Sequence, residues 1–541
     1  MDTYGILTLL PPLVAISLCF ITKQVLFSLF VGIWTAATIM SNFNPLTGTA
    51  LALDTIVENI TDPWNAKLLL FTFFMGVGIT FIWRLGGSLA LTDYVKRRIK
   101  TRRGICLGTW ILGMLTSLND CLVAAVTGNV FRDVCKEYRI SSEKFSYVLD
   151  STAAPAAAVF ISDWIAYQIG MIATGLAAIG VSASATAVYV KSIPYNLYSI
   201  FTLIFVGMLM YRGKDYGPVL EAENRTLTTG QYTAPGSQPM LNVESDLGEP
   251  IRTNPKIRNF VLPIVSAIAV ILFGLYWTGR EGEGILGVLE QADASTALLW
   301  GSFTLAIVGF ILALTSKLMN FEESMNCFVD GFKLMMLTAS ILAMAWSLSS
   351  IVQEMGLAGY IVSLVGSNVP LWIIVILVFL LSMLVSFATG TSWGTMAIMT
   401  PLAINLVYQT TGNVEDVSMI AGLVLSGAIV GDHCSPISDT TVMASIYSGA
   451  DHIAHVKTQL PYALTTAFIV LCMHILNAIT GCGPLVMIPI GIVMIYVLQT
   501  ILSKIAMKRR GISYDISALM KDSADEVIAY MDEFESKVAK N

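Results

Sequence analysis

The chain is built mostly from apolar segments that match the thickness of a lipid bilayer, and this feature restricts its fold more than any other. A membrane-spanning helix needs about 20 predominantly apolar residues. Runs of this kind occupy positions 4–22, 24–40, 66–90, 104–118, 145–172, 173–211, 258–278, 296–316, 332–352, 370–387, 395–410, 417–431, 458–480 and 484–503. Only 13% of the 541 residues are charged, against about 25% in soluble domains. We therefore predict an all-α, polytopic transmembrane bundle with roughly eleven to fourteen crossings or half-crossings.

Changes in composition divide this bundle. Residues 212–257 are rich in Gly, Pro, Asn, Thr and charged side chains, and a segment of this composition cannot bury enough apolar area to pack. We predict that it is a hydrophilic linker between a first transmembrane half, 1–211, and a second, 258–503. The tail, 504–541, carries apolar residues at near-helical spacing among acids, which predicts an amphipathic helix.

Basic residues indicate the orientation in the membrane. Lys and Arg concentrate at 96–103 and again at 504–510. By the positive-inside rule these segments are cytoplasmic, which predicts a multi-pass protein of the inner (plasma) membrane with its linker and tail in the cytoplasm. The net charge of -6 owes much to acids in the tail, and we infer no nucleic-acid partner from it.

Two stretches of the sequence resemble each other. GMLTSLNDCLVAAVTG from Gly113 and SMLVSFATGTSWGTMA from Ser382 share Met-Leu-x-Ser and then break into small and polar residues. Each is followed by a second polar break, in which Pro155 and Pro436 correspond. The shared order of features predicts an internal duplication.

Four polar breaks interrupt apolar runs, at 117–120, 150–155, 388–394 and 431–441. Lipid supplies no hydrogen-bond partners, so unwound backbone at membrane depth survives only where protein or a water-filled cavity satisfies it. Paired broken helices in two halves are the sequence signature of a transporter's binding site. We therefore expect broken or re-entrant helices around a substrate site.

The break at 431–441 holds two acids, and an acid at membrane depth costs about 2.5 to 3.5 kcal/mol on insertion scales. Sodium is a hard cation that binds carboxylate, hydroxyl and carbonyl oxygens. The predicted ion- or substrate-binding residues here are Asp432, His433, Ser435, Ser438, Asp439 and Thr440. The alternative is structural: Asp432 caps a helix, and residues 438–441 form local hydrogen bonds.

The other breaks supply further candidates. These are Asn119, Asp120, Ser151, Thr152, Thr389, Thr391 and Ser392. Asp120 is the predicted first-half sodium ligand beside Asp432 and Asp439, unless it is merely a loop residue at the end of a span. Asp150 and Asp163 are weaker candidates than Asp120. The hydroxyl residues can coordinate an ion but cannot titrate.

His433 has the residue type of a proton relay or pH sensor, because an unperturbed histidine has a pKa of about 6.5. The alternative is that it is structural, as a lone histidine more often is. The other three histidines, His452, His455 and His474, show no metal-ligand spacing relative to it. We assign those three no role.

The segment GDHCSPISDTT at 431–441 resembles the NhaC-type sodium/proton antiporter family. The runs GTSWGT at 390–395 and STAAP at 151–155 are similar to that family as well. The resemblance implies a secondary transporter with inverted repeats, a scaffold part, a mobile transport part and a homodimeric assembly. Asp163 departs from the pattern, since such proteins carry uncharged hydroxyl residues there, and the departure points to a different substrate.

The expected function is exchange of sodium for protons across the membrane by alternating access. No cofactor is expected, since sodium is substrate or coupling ion, and the surrounding partner is membrane lipid. The alternative is a sodium- or proton-coupled transporter or exchanger of a small carboxylate or an amino acid. An enzyme is disfavoured because neither a nucleophile-and-base pairing nor an HExxH motif is found. A passive channel is disfavoured because no selectivity-filter signature occurs.

Overall fold

The computed structural model describes residues 4–22, 24–117, 120–160, 163–239, 256–282, 284–356, 360, 370–512, 514 and 516–540. Over these residues the secondary structure is helical, and the one β-type pairing is an isolated bridge between Pro239 and Asp451. Up to residue 229 the helices are α1 Leu10–Thr22, α2 Val25–Met40, α3 Pro45–Thr61, α4 Pro63–Arg84, α5 Gly87–Arg98, α6 Arg102–Leu115, α7 Asp120–Glu137, α8 Ser142–Thr152, α9 Ala154–Ala157, α10 Asp163–Ala178, α11 Ala185–Ser192, α12 Leu197–Arg212 and, within the predicted linker, α13 Gly217–Thr229. The remaining helices are α14 Arg258–Gly279, α15 Gly284–Gln291, α16 Ala294–Thr315, α17 Phe321–Leu334, α18 Met336–Glu354, α19 Leu371–Thr389, α20 Ser392–Thr411, α21 Val414–Cys434, α22 Asp439–Ser448, α23 His452–Thr480, α24 Pro484–Arg510, α25 Ile516–Leu519 and α26 Ala524–Lys540.

Within the described residues, seven helices are long and apolar enough to cross a membrane, which confirms the prediction of an all-α, multi-pass membrane protein. They are α4, α14, α16, α19, α21, α23 and α24. A bent pair, 187–195 with 197–229, makes an eighth if it counts as one span. The apolar window of α21 is 83% buried inside the protein and that of α24 only 22%, so α21 lies centrally and α24 peripherally.

Several of the predicted apolar runs are divided between helices. The run 66–90 divides between α4 and α5, and the run 145–172 divides among α8, α9 and α10. The run 173–211 includes the 46° bend after Tyr195. Average hydropathy does not show where a helix ends. Pro155, in the short helix α9, does mark an end, because it has no N–H with which to continue the backbone hydrogen bonds of α8.

The prediction that residues 212–257 do not pack is wrong for residues 217–229. Helix α13 forms there and buries Val219, Leu220 and Leu227 against the rest of the chain. Its apolar residues share one face, which a composition averaged over the whole segment hides. Residues 240–255 lie outside the described part of the chain.

A buried ionic network joins α13 to the first-half helices. The side chains of Arg102, Lys144, Asp215 and Glu223 are all fully buried. Glu223 pairs with Arg102 and, at 3.3 Å, with Lys144, whose Nζ lies 2.8 Å from Asp215. Ser141 donates its N–H and its hydroxyl to Glu223 at 2.8 and 2.9 Å. These bonds fix the beginning of α8, the helix whose other end carries Asp150.

The tail packs on the same region. The predicted amphipathic helix is α26, which buries Val527 and Met531. Asp522 and Met520 lie just before α26. Their carbonyls accept hydrogen bonds from the backbone N–H groups of Arg102 and Arg103, at 3.1 and 2.8 Å respectively. The tail therefore contacts both α13 and the start of α6.

Helices break at each of the four predicted places. Two of the breaks fall between α6 and α7 and between α8 and α9, and the other two between α19 and α20 and between α21 and α22. In each half the Met-Leu-x-Ser sequence lies at the end of the helix before the first break. The two similar stretches thus occupy equivalent points in the order of elements.

The second-half breaks cross in direct backbone contact. Gly390 ends α19 with a φ of +68°, a conformation that favours glycine. A Cβ at this position would lie 2.6 Å from the carbonyl oxygen of Ile437, within the other break. Helices α19 and α21 already lie close together before the breaks. A Cβ at Gly427 of α21 would lie 2.7 Å from the carbonyl oxygen of Phe379 on α19.

Replacing Glu223 by Gln is expected to lower stability strongly, because Arg102 would keep a buried charge without its carboxylate partner. Breaking a buried pair costs about 3 to 5 kcal/mol. The melting temperature of the purified protein in detergent measures the loss. The matched control is Glu221→Gln, since Glu221 is 61% exposed and pairs with Arg510 on the surface, where such pairs are worth about 1 kcal/mol or less. Equal shifts in the two variants would contradict a structural role for the buried network.

Replacing Gly390 by Ala is expected to disrupt the crossing as well as to strain the backbone. Gly412→Ala is the control, since Gly412 has a φ of +65° with nothing within 4 Å of an added Cβ. Both variants pay about 1 to 2 kcal/mol for a side chain in the left-handed region. Gly390→Ala should lower the melting temperature clearly further, and a loss no greater than that of the control would show that the crossing is not tight.

Candidate functional site

Asp432 and Ser392 meet where the two second-half breaks cross. Asp432 lies in the last turn of α21 and is buried, and Ser392 is the first residue of α20. The Ser392 hydroxyl donates to Oδ2 of Asp432 at 2.7 Å and also lies 3.3 Å from the carbonyl oxygen of Ala428. The other carboxylate oxygen, Oδ1, is buried without a hydrogen-bond partner. Such an atom is costly unless a proton or a cation occupies it.

Asp439 begins α22 at the far side of the same break. Its side chain is partly buried, and its Oδ1 accepts the N–H of Thr440 at 2.8 Å. Asp439 and Asp432 are close enough to interact electrostatically. The break therefore brings two predicted acids into one electrostatic environment.

The hydroxyl residues of the break make local bonds. Ser438 caps α22 by accepting the N–H of Thr441 at 3.3 Å, and its hydroxyl lies 3.0 Å from that of Thr440. The structural alternative, in which these residues only cap a helix or form local hydrogen bonds, thus describes Ser438. It does not describe Asp432, which lies inside the last turn of a helix and not at a helix N-terminus.

Three further predicted hydroxyls surround the crossing. Ser435 donates to the carbonyl of Phe387 at 2.8 Å, and so links the two breaks. Thr389 donates to the carbonyl of Val385 at 2.9 Å. Thr391 is partly buried and precedes α20 in extended conformation. Each hydroxyl that donates to a backbone carbonyl still has oxygen lone pairs that can accept a ligand.

Of the first-half candidates, one contacts a second-half candidate, one bonds within its own helix, and two lie wholly or partly outside the described residues. Asn119 lies outside the described residues, and Asp120 is the first residue of α7, with its side chain outside the described part. Thr152 donates to its own helix, at the carbonyl of Val148, at 2.7 Å. Ser151 lies 3.2 Å from Nε2 of His433. In the parts of the chain that are described, no three His, Cys, Asp or Glu side chains are arranged to hold a metal ion.

Asp150 is the centre of a second polar cluster, which adjoins the first through His433. Its Oδ2 accepts from Thr441 Oγ1 at 2.9 Å and from Gln459 Nε2 at 2.7 Å. The Nε2 atoms of His455 and His433 lie 3.4 and 3.8 Å from the same oxygen. Its Oδ1 is buried without a hydrogen-bond partner, as in Asp432. This cluster joins the two halves of the chain, since Asp150 belongs to the first and its four partners to the second.

From the sequence alone, Asp150 is a weaker candidate than Asp120, His455 has no assigned role, and Gln459 is not among the candidates. The only local signal is the spacing of His455 and Gln459, which lie four residues apart and so share one face of α23. Gln459 also donates to the carbonyl of His433. His433 itself is bound by Tyr198, whose hydroxyl lies 2.8 Å from Nδ1.

The sequence of the chain is similar to those of several known proteins. An uncharacterised protein of Haemophilus influenzae is 31% identical over 475 residues, which cover 85% of this chain and 88% of that protein. A malate-2H(+)/Na(+)-lactate antiporter of Bacillus subtilis is 40% identical over 98 residues, 17% of this chain and 20% of that protein. An arginine/ornithine antiporter of Halobacterium salinarum is 29% identical over 221 residues, 41% of each chain.

Residues 157–479 match the Na+/H+ antiporter family, and this segment contains both crossing breaks and the polar residues around Asp432. The match confirms the resemblance read from the motifs at 390–395 and 431–441, and it identifies a transporter and not an enzyme. The chain belongs to the Na+/H+ antiporter family.

Proposed function

We propose that the protein exchanges sodium for protons by alternating access, with Asp432 as the carboxylate that both ions occupy in turn. The observation that supports this most directly is the buried Oδ1 of Asp432, which lacks a hydrogen-bond partner beside Ser392. A desolvated carboxylate oxygen gains most from a proton or a cation. Competition between the two for one oxygen couples their fluxes in opposite directions.

The surroundings of Asp432 suit a hard cation. Helices α19 and α21 both end at the crossing, and helix C-termini carry partial negative charge. Hydroxyl oxygens of Ser392 and Ser438, the Asp439 carboxylate and freed backbone carbonyls complete an oxygen-rich environment of the kind sodium binds. Asp120 remains a proposed ligand from the first half on sequence grounds.

The setting of the transporter is proposed from sequence. The basic clusters at 96–103 and 504–510 support insertion in the plasma membrane with the linker and tail cytoplasmic. The family resemblance supports a homodimer. Accessibility of single cysteines introduced into α13 and α26 to an impermeant thiol reagent would test the orientation.

Replacing Asp432 by Asn is expected to abolish sodium-dependent proton flux, since the amide binds neither ion in place of the carboxylate. The measurement is dissipation of a pH gradient in proteoliposomes when sodium, lithium or potassium is added. Glu415→Gln is the matched control, because it removes an exposed acid from the first turn of the same helix. Near-normal flux in a folded Asp432→Asn variant would defeat the assignment, and Asp439→Asn tests the second acid in the same assay.

The second candidate function is exchange of a small carboxylate or amino acid, with sodium or protons as coupling ions. Two relatives are named as antiporters of malate and lactate and of arginine and ornithine, which supports this candidate. It predicts that the pH gradient responds to sodium only when one of these solutes is present, and that the solute increases sodium binding. A full response to sodium alone would exclude it.

A further inference from the structure

Three neighbouring apolar helices reach the limit of their apolar residues at one end of the bundle, and a basic residue stands at each limit. Arg103 directly precedes the uncharged run of α6, Arg212 ends the uncharged run of α12, and Lys504 is the first charged residue after the run 484–503 of α24. Contacts of Arg103 with α12 and of Arg212 with α24 bring these limits together. The three helices thus share one basic edge.

Both arginines of this edge lie flat on tyrosine rings. The guanidinium carbon of Arg103 lies 4.5 Å from the centre of the Tyr211 ring, and that of Arg212 lies 4.0 Å from the centre of the Tyr496 ring. The two tyrosines are 55% and 53% exposed. Stacking fixes the plane of a guanidinium and leaves its edge N–H groups available to an acceptor. Tyrosine beside arginine at a helix end is typical of the membrane interface, where lipid headgroups lie.

The hydrogen bonds of the two arginines leave donors unused. Arg212 donates to the carbonyl of Tyr496 at 3.3 Å and to Oγ1 of Thr500 at 2.6 Å, which uses two of its five N–H groups. Within the described part of the chain, the Arg103 guanidinium donates to no acceptor, and its Nε is buried. Arg102, one position earlier, instead pairs with a buried acid. Phosphate groups bind guanidinium edges of this kind through paired hydrogen bonds.

Two lysines extend the basic edge along α24. Thr500, Lys504 and Lys508 follow one another at intervals of four residues, so neighbouring members lie on the same side of the helix. Both lysines are exposed. Among the described residues no acid forms an ion pair with Arg103, Arg212 or either lysine, whereas Arg510 pairs with Glu221. The edge therefore carries four positive charges that the described acids do not neutralise.

Apolar side chains lie next to the basic edge on the same helix. Val493 and Val497, one turn on either side of Tyr496, are 61% and 43% exposed. The apolar window of α24 is only 22% buried inside the protein, so these side chains face outward. A free anion or a nucleic acid would use the positive charges alone. A phospholipid matches both parts, because its acyl chains cover apolar side chains and its phosphate lies at the adjoining basic residues.

We propose that Arg103, Arg212, Lys504 and Lys508 bind the phosphate of an anionic phospholipid at the junction of α6, α12 and α24. The two stacked arginines supply the fixed donors, and the lysines supply further positive charge beside them. This site lies on the outer surface of the bundle, and the proposal does not depend on which ions or solutes the protein exchanges. Basic sites between membrane helices are a recurring means of binding anionic headgroups.

The experiment titrates the full-length protein, purified in a neutral detergent and freed of lipid, with phosphatidylglycerol or phosphatidylcholine. Native mass spectrometry counts the lipids bound. We expect phosphatidylglycerol to bind more tightly, and its affinity to fall about 25-fold in the double variant Arg103→Gln/Arg212→Gln, because each basic residue near an anionic headgroup contributes about fivefold. The matched control is Arg258→Gln/Arg280→Gln, which removes two exposed arginines from the ends of α14 and should bind as the wild type does.

Several results would overturn the proposal. They are equal affinity of the wild-type protein for the two lipids, unchanged affinity for phosphatidylglycerol in the Arg103→Gln/Arg212→Gln variant, and an equal loss in the α14 control. Displacement of the lipid by millimolar inorganic phosphate would identify a site for a free anion and would also overturn it. Gel filtration establishes that each variant is folded. If Arg103→Gln/Arg212→Gln fails to fold, Lys504→Gln/Lys508→Gln changes only exposed side chains and takes its place with the same expectation.

Discussion

The polar site around Asp432 depends on backbone that leaves the helix inside an apolar bundle and must therefore be hydrogen-bonded by the protein. The break after α21 shows how this is achieved. Ser435 donates to the carbonyl of Phe387, the imidazole of His452 lies 2.8 Å from the carbonyl of Pro436, and Gln459 donates to the carbonyl of His433. Gly390 allows the second break to approach the first without a side chain between them. Among the carboxylates of the described residues, Asp432 and Asp150 each keep one buried oxygen without a hydrogen-bond partner.

The two free carboxylates differ in how the chain holds them. Asp432 and Ser392 both belong to the second half, so their bond survives any movement between the halves. Asp150 belongs to the first half and takes its donors from α22 and α23 of the second. A transport step that moved α8 relative to these helices would remove both donors from Asp150 at once. The hydrogen bonds of Asp150 therefore depend on the relative position of the two halves, whereas the hydrogen bond between Asp432 and Ser392 does not.

The sequence predicted the breaks but not the contacts between distant helices. Small and polar residues inside apolar runs are a local signal, and the four breaks and the Asp432 segment follow from it. The contact between Asp150 and Gln459 spans 309 positions and depends on how α23 packs against α8, which no local pattern encodes. Helix α13 was missed for a related reason. Glu223 is buried and Glu221 is exposed to solvent, although both are glutamates. Only the packing of α13 on Arg102 and Lys144 distinguishes them.

The arrangement of helix ends at the crossing indicates which kind of ligand can bind there. Helix C-termini favour cations and helix N-termini favour anions, and the crossing holds two of each. The N-terminal ends, however, already have acids of the chain beside them. Asp432 accepts the hydroxyl of Ser392 at the start of α20, and Asp439 is itself the first residue of α22. An organic anion would have to compete with both carboxylates for those positions, whereas the C-terminal ends of α19 and α21 add to the negative charge that a cation requires. This asymmetry favours an inorganic cation at the crossing, and it would place the carboxylate of any organic solute away from Asp432.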